Sequence, residues 1–188
     1  YNTDGSLDTS FGTGGKVTTA VGAGDDFASS VYVQTDGKIV VAGTTVISGN
    51  YDFALVRYNA NGSLDASFGT GGKVSTAVGA SFDLAMSVTV QSDGKVLVAG
   101  WTMAAGNNDV ALVRYNANGS LDASFGTGGK VTTAIGSGED VCNSLTLQSD
   151  GKILLVGHAS NGSNNDVALV RYNADGSLDS GFGAGGKV

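Results

Sequence analysis

Trp101 and His158 stand 57 residues apart, and Thr44 lies the same interval before Trp101. Six positions after each comes an Asn: Asn50, Asn107 and Asn164. An aromatic plane can stack under the apolar face of a sugar, and amides can bond its hydroxyls in pairs. These six residues are therefore the candidate ligand site, with a glycan as the candidate ligand. Asp26, Asp83 and Asp140 recur with the same interval, as do Asp52, Asp109 and Asp166. Carboxylates recurring around a channel mouth suit Ca²⁺, which prefers oxygen ligands, so Asp26, Asp83 and Asp140 are the candidate metal residues. Each set also has a plainer reading. Trp101 fits a packing role, and the carboxylates fit loops in which Asp binds nearby backbone N–H groups or pairs with an Arg57-type residue.

Other chemistry finds no support. The single His and single Cys cannot build a tetrahedral zinc site, and one thiol cannot close an internal disulfide. Cys142 takes the place of Ala28 and Ala85 in the period, which marks a small buried residue rather than a nucleophile. Gly69-Thr-Gly-Gly-Lys73 runs into Val74 and a strand, whereas a phosphate loop needs Lys-Ser/Thr and a helix. Asn-x-(Asp/Asn)-Gly-Ser-Leu-Asp lacks the alternating carboxylates and distal Glu of an EF-hand. A single helical turn is expected there instead, capped by Ser63, with Leu64 and Phe68 tucked inward and Gly69 ending it; Ser6, Ser120 and Ser177 repeat it. With no positioned acid–base pair, the expectation is a protein that is not an enzyme and has no cofactor beyond possible Ca²⁺.

The elements that position these residues come from a tandem repeat. The chain has 188 residues, 31 of them Gly and none Pro, and its net charge is −7. That charge argues against nucleic acid, and no apolar run is long enough to suggest insertion into a membrane. Tyr1, Tyr58, Tyr115 and Tyr172 open units 1–57, 58–114 and 115–171 and a partial fourth, 172–188. All ten basic residues sit on repeat positions, which suits a scaffold better than one unique site.

Within a unit four strands are legible and no helix. In the second, Leu84–Gln91 alternates, placing Leu84, Met86, Val88 and Val90 on one face. Asp93-Gly94 predicts a type I′ hairpin, and 95–100 reads as a strand covered on both faces. Strands over 109–115 and 129–135 complete a four-stranded antiparallel meander. Tandem meanders of this length predict an all-β fold of β-propeller type, in which each 57-residue unit is one blade. Blades are expected near 27–78, 84–135 and 141–188.

The pattern Asp-Gly-Ser-Leu-Asp-x-Ser-Phe-Gly-x-Gly-Gly-Lys-Val, then Gln-x-Asp-Gly-Lys-(Ile/Val), then Asp-(Phe/Val)-Ala-Leu-Val-Arg-Tyr-Asn resembles the delta-sixty repeat. The resemblance covers essentially the whole chain. It implies a propeller-like scaffold in bacterial proteins that are secreted or lie at the cell surface. It transfers no catalytic residue.

Three units fall short of the four to eight blades that usually close a ring, so the chain reads as an excerpt of a longer array or a subunit in a larger propeller or filament. Lys16–Val21 duplicates the fourth strand, which Lys187-Val188 only begins. Self-association or neighbouring blades of the same larger protein are the expected partners. Divergence between units collects in the loops 44–51, 101–108 and 158–165 and in the segments 22–26, 79–83 and 136–140 that enter the first, innermost strand of each blade, making that end the candidate binding face. The leading expectation is a structural or adhesion module, extracellular or at the cell surface. The alternative is a carbohydrate-binding, lectin-like propeller that uses the variable loop face, with Ca²⁺ as a candidate aid.

Overall fold

The computed structural model describes residues 1–104 and 106–188, and among them are eleven strands and no helix. Strands β1 (Asp26–Val33), β2 (Ile39–Ile47), β3 (Asn50–Tyr58) and β4 (Lys73–Thr76) form one antiparallel sheet in chain order. Strands β5 (Asp83–Val90), β6 (Val96–Ala104), β7 (Asn107–Tyr115) and β8 (Lys130–Thr133) form the second. The third holds β9 (Asp140–Leu147), β10 (Ile153–Ser160) and β11 (Asn165–Tyr172), and Val188 exchanges both backbone hydrogen bonds with Leu169 where β4 and β8 lie in the other two. The meander repeats as expected, and the three sheets do not close a ring.

Each sheet packs face to face on the next, because its middle strands are apolar on both sides. Val96, Leu97, Val98 and Ala99 are all fully buried. Val96 and Val98 join Val40, Phe53 and Leu55 in one core, while Leu97 and Ala99 join Phe125, Cys142 and Leu155 in the next. A strand that must be apolar on both faces cannot form the surface of a lone sheet.

Three local expectations are corrected. In β5 a bulge between Ala85 and Ser87 breaks the alternation, so Ala85, Val88 and Val90 are buried while Leu84 and Met86 are not. The bulge brings two backbones so close that a Cβ on Gly100 would lie 1.9 Å from the Leu84 carbonyl oxygen, which explains the glycine in β6. The Ser92-Asp93-Gly94 turn is not type I′, since only Gly94 has positive φ; Gly94 N–H donates to Gln91 O at 2.9 Å. The positive pair belongs to Ser48 and Gly49, between β2 and β3. Finally, Ser63 caps no helical turn. Asp65 Oδ1 accepts from Ser67 N–H instead, Phe68 is buried, and Leu64 is partly exposed in a bridge to Tyr58.

The junctions carry the same bonds at each step. Tyr115 Oη donates to Thr76 Oγ1 at 2.9 Å and Tyr172 Oη to Thr133 Oγ1 at 2.7 Å. Gly69 N–H reaches Asn118 O, and Gly126 N–H reaches Asp175 O. Residues 1–21 bear the same relation to the first sheet: Tyr58 Oη bonds Thr19 Oγ1, and Gly12 N–H bonds Asn61 O. Neighbouring inner strands are linked at their bulges, where Val88 N–H donates to Ser30 Oγ and Leu145 N–H to Ser87 Oγ.

One buried cation anchors each junction. Arg114 Nε donates to Asp122 Oδ2 at 2.8 Å, its guanidinium carbon lies 4.4 Å from the Phe125 ring centre, and Nη1 reaches Ala174 O in the next unit. Arg57 repeats all three contacts with Asp65, Phe68 and Ala117 O. Lys95 Nζ adds a second cation, 3.1 Å from Asp122. The Asp65 and Asp122 carboxyls sit well below the usual carboxylate range, first because a Ser hydroxyl bonds each. Arg171 keeps the Asp179 and Phe182 contacts, but among the described residues no carbonyl of a further unit meets it. Removing Arg114 strands a buried carboxylate and cuts the junction, so Arg114→Ala should cost about 3 kcal/mol. Arg171→Ala, at a less buried side chain that is 21% exposed and bonded to no further unit among the described residues, should cost about 1 kcal/mol or less. Urea unfolding of the two variants beside the parent checks the order.

Candidate functional site

The end of the blades opposite the Asp-Gly-Lys turns is built mostly from strand. Residues 44–47, 101–104 and 158–160 continue β2, β6 and β10, and 50–51 and 107–108 already belong to β3 and β7. What sequence divergence marked as long loops is a set of extended hairpins. Ser48-Gly49 turns the first and 161–164 the third; Ala105 of the second lies outside the described residues.

This changes the setting of the candidate ligand residues. Thr44 is buried in β2, paired in register with Phe27 and Phe53. Trp101 lies within β6 between Leu84 and Val110, and His158 within β10 between Val141 and Val167. Trp101 and His158 are half-buried, and each of the three sits on its own blade. They are strand residues, not loop residues, so none is free to fold over a ligand from a loop. Asn50 is exposed at the start of β3. Asn107 Nδ2 donates to Gly138 O at 2.7 Å, clasping the segment that enters the third blade. Asn164 Nδ2 donates to Asp166 Oδ1 at 2.9 Å, within its own turn.

Asp26, Asp83 and Asp140 each hold the segment that leads into their inner strand. Asp83 accepts from Val78 N–H at 2.7 Å, from Gly79 N–H at 3.1 Å and from the Thr102 hydroxyl. Asp140 accepts from the N–H groups of Ile135 and Gly136, and Asp26 from those of Val21 and Gly22. A Cβ on Gly79 would lie 2.4 Å from Thr102 Oγ1, so this loop closes only around a glycine. The geometry is that of the loop-fixing reading. Among the described residues no three His, Cys, Asp or Glu side chains gather as a metal-holding group.

The Arg57-type residues pair with Asp65, Asp122 and Asp179, not with either recurring Asp set of this end. Sequence reasoning missed those three acceptors, although Asp65, Asp122 and Asp179 share the period of the Arg residues and that was the available signal. It also missed the Tyr51–Phe82 edge-to-face contact, with ring centres 5.3 Å apart, which joins the first hairpin to the loop entering the second blade. Three open recesses lie elsewhere. They have volumes of 640, 630 and 570 Å³, under the Gly-Thr-Gly-Gly-Lys turns of Lys130, Lys73 and Lys16. Their recurrence on each unit makes them a property of the scaffold.

One electrostatic feature of this end is unfavourable. Burial raises the Asp109 carboxyl above its ordinary value, and the charge of Asp140 adds to the rise; Asp109 Oδ1 and Asn108 Oδ1 are buried with no hydrogen-bond partner among the described residues. Asp52 is raised in the same way, by burial and then by Asp83. A raised folded-state value means that the folded chain binds the extra proton, so stability is lost as pH rises through that value. Asp109→Asn should therefore melt about 2 °C higher than the parent at neutral pH. The gain should vanish by the ordinary carboxylate value of 3.8, as thermal melts at both pH values would show.

With this geometry in hand, the comparisons with known proteins speak to the scaffold alone. No curated protein matches the chain. A family model described as "Domain of unknown function (DUF5122) beta-propeller" matches residues 34–68, 91–125 and 148–182, one match in each blade and together more than half of the chain. Each match runs from the Asp-Gly-Lys turn to the Phe that carries the buried guanidinium, so the matched stretch contains both partners of the junction anchor. The chain belongs to this family of β-propeller repeats.

Proposed function

We propose that this protein is a non-catalytic structural or adhesion module of a bacterial surface or filament protein, working outside the cell and assembling through blade–blade packing. The single observation that carries the assembly is burial at equivalent positions. Val88 and Leu145 are 6% and 8% exposed inside the stack, whereas Val31, their counterpart on the first blade, is 62% exposed. At the opposite end Val110 is 2% exposed and its counterpart Val167 is 77% exposed. The first and last faces are thus the two halves of an interface that the chain makes twice internally. Exposed apolar faces of this kind mark sites of association. The partner that fits is another blade of the same pattern, in head-to-tail order.

The extracellular, bacterial setting rests on the resemblance to delta-sixty repeats. The structural rather than enzymatic role is supported by the use of the recurring Arg, Asp, Tyr and Thr side chains in junctions and loop closures.

Sedimentation over a range of concentrations tests the assembly. The chain should associate as concentration rises, and Val31→Lys or Val167→Lys should each weaken association by about tenfold or more. A parent chain that stays monomeric at the highest concentration, while fully folded, would remove the assembly from this reading.

A further inference from the structure

Three Asn-Gly pairs occur in the chain: Asn61-Gly62, Asn118-Gly119 and Asn161-Gly162. In such a pair the Gly nitrogen can attack the Asn side-chain carbon, since no Cβ on the second residue stands in the way. The surroundings of the three differ in a manner that bears directly on this reaction.

The first two pairs are locked. Gly62 N–H donates to Asn59 O at 2.9 Å, and Gly119 N–H to Asn116 O at 2.9 Å. The Asn carbonyls are held across a blade junction as well, Asn61 O by Gly12 N–H at 2.9 Å and Asn118 O by Gly69 N–H at 2.7 Å. Moving the Gly nitrogen onto the side-chain carbon would break bonds on both sides of the reacting peptide.

Asn161-Gly162 lies in the exposed turn between β10 and β11, and no junction bond reaches it among the described residues. Gly162 N–H has the Ser160 hydroxyl oxygen at 3.2 Å. Asn161 Oδ1 accepts from two backbone groups, Ser163 N–H at 2.9 Å and Asn164 N–H at 3.1 Å. Two such donors stabilise the negative charge that gathers on this oxygen when the nitrogen adds to the carbon. Asn61 Oδ1 and Asn118 Oδ1 also accept two donors each, from Ser63 and Ser120, so what sets Asn161 apart is its exposed turn and the lack of a junction bond among the described residues. Asn161 Nδ2, the leaving group, donates to Asp166 Oδ2 at 2.9 Å and to Asn164 Oδ1 at 3.0 Å.

We propose that Asn161 is a site of spontaneous modification, at which the Gly162 nitrogen displaces the side-chain amide and the turn gains a carboxylate. The bond from Gly162 N to Asn161 Cγ forms and the bond from Cγ to Nδ2 breaks. The proton lost from the Gly162 nitrogen ends on Nδ2, which departs as ammonia. Solvent water then opens the five-membered imide, leaving Asp or its β-linked isomer; no electrons are gained or lost. The added charge lies beside Asp166, on the end of the blades where the units diverge.

Peptide mapping by mass spectrometry during incubation of the folded chain at mildly alkaline pH tests this. Asn161 should convert about tenfold faster than Asn61 or Asn118. In denaturant, where only the shared Asn-Gly-Ser sequence remains, the three rates should converge. Equal rates in the folded chain, or a slower rate at Asn161, would overturn the proposal, and so would a rate difference that persists unchanged in denaturant.

Discussion

A carboxylate shut away from water between two cations sets the terms for everything else in this chain. Asp122 meets Arg114 at 2.8 Å and Lys95 at 3.1 Å, and the same Arg114 reaches forward to the Ala174 carbonyl. Burying ions is costly, and an apolar cluster of equal volume can be as stable. What the ion set adds is register. Apolar faces slide over one another with little penalty, whereas a guanidinium that must satisfy a carboxylate behind it and a carbonyl ahead of it admits one relative position. The aromatic ring under each guanidinium, Phe68 or Phe125, ties that position to the core.

This division of labour accounts for where the units are alike and where they differ. The Arg anchors and the Tyr–Thr, Gly–carbonyl and Ser-bulge links all depend on residues or backbone groups that recur with the period. The hairpin ends carry none of these links. There the neighbouring blades meet through pairings used once each, Tyr51 with Phe82 and Asn107 with Gly138 O. A surface not needed for register is free to vary, which makes it the natural place for whatever the scaffold presents.

The architecture was legible in the sequence because its determinants are periodic. A 57-residue repeat, Val- and Ile-rich strands and basic residues locked to the repeat each report something that every unit must satisfy. Features that depend on a third dimension were not legible. Met86 completes a regular alternation on paper, and only the bulge beside Gly100 turns it away from the core. Gly100 reads as a strand end, which puts Trp101 in a loop; in fact the glycine is the space into which the Leu84 carbonyl fits, and the strand continues to Ala104. Asp93-Gly94 has the composition of a two-residue hairpin turn, but the longer connection takes positive φ from the glycine alone. As for the candidate site, the period shows which stretches diverge, and the structure places those stretches at one end of the blades. The period could not show that Asp83 was already committed to Val78 and Gly79, or that Asn107 was a clasp.

The account rests on each blade owing its stability to the blades that flank it. Circular dichroism of a fragment spanning residues 77–133, the second blade alone, tests this most directly. Freed of both neighbours, it should show no β-sheet signal and no cooperative melt, because both faces of β6 would be open to water and Arg114 would have lost Ala174. A fragment that melts cooperatively as a folded monomer would contradict the account.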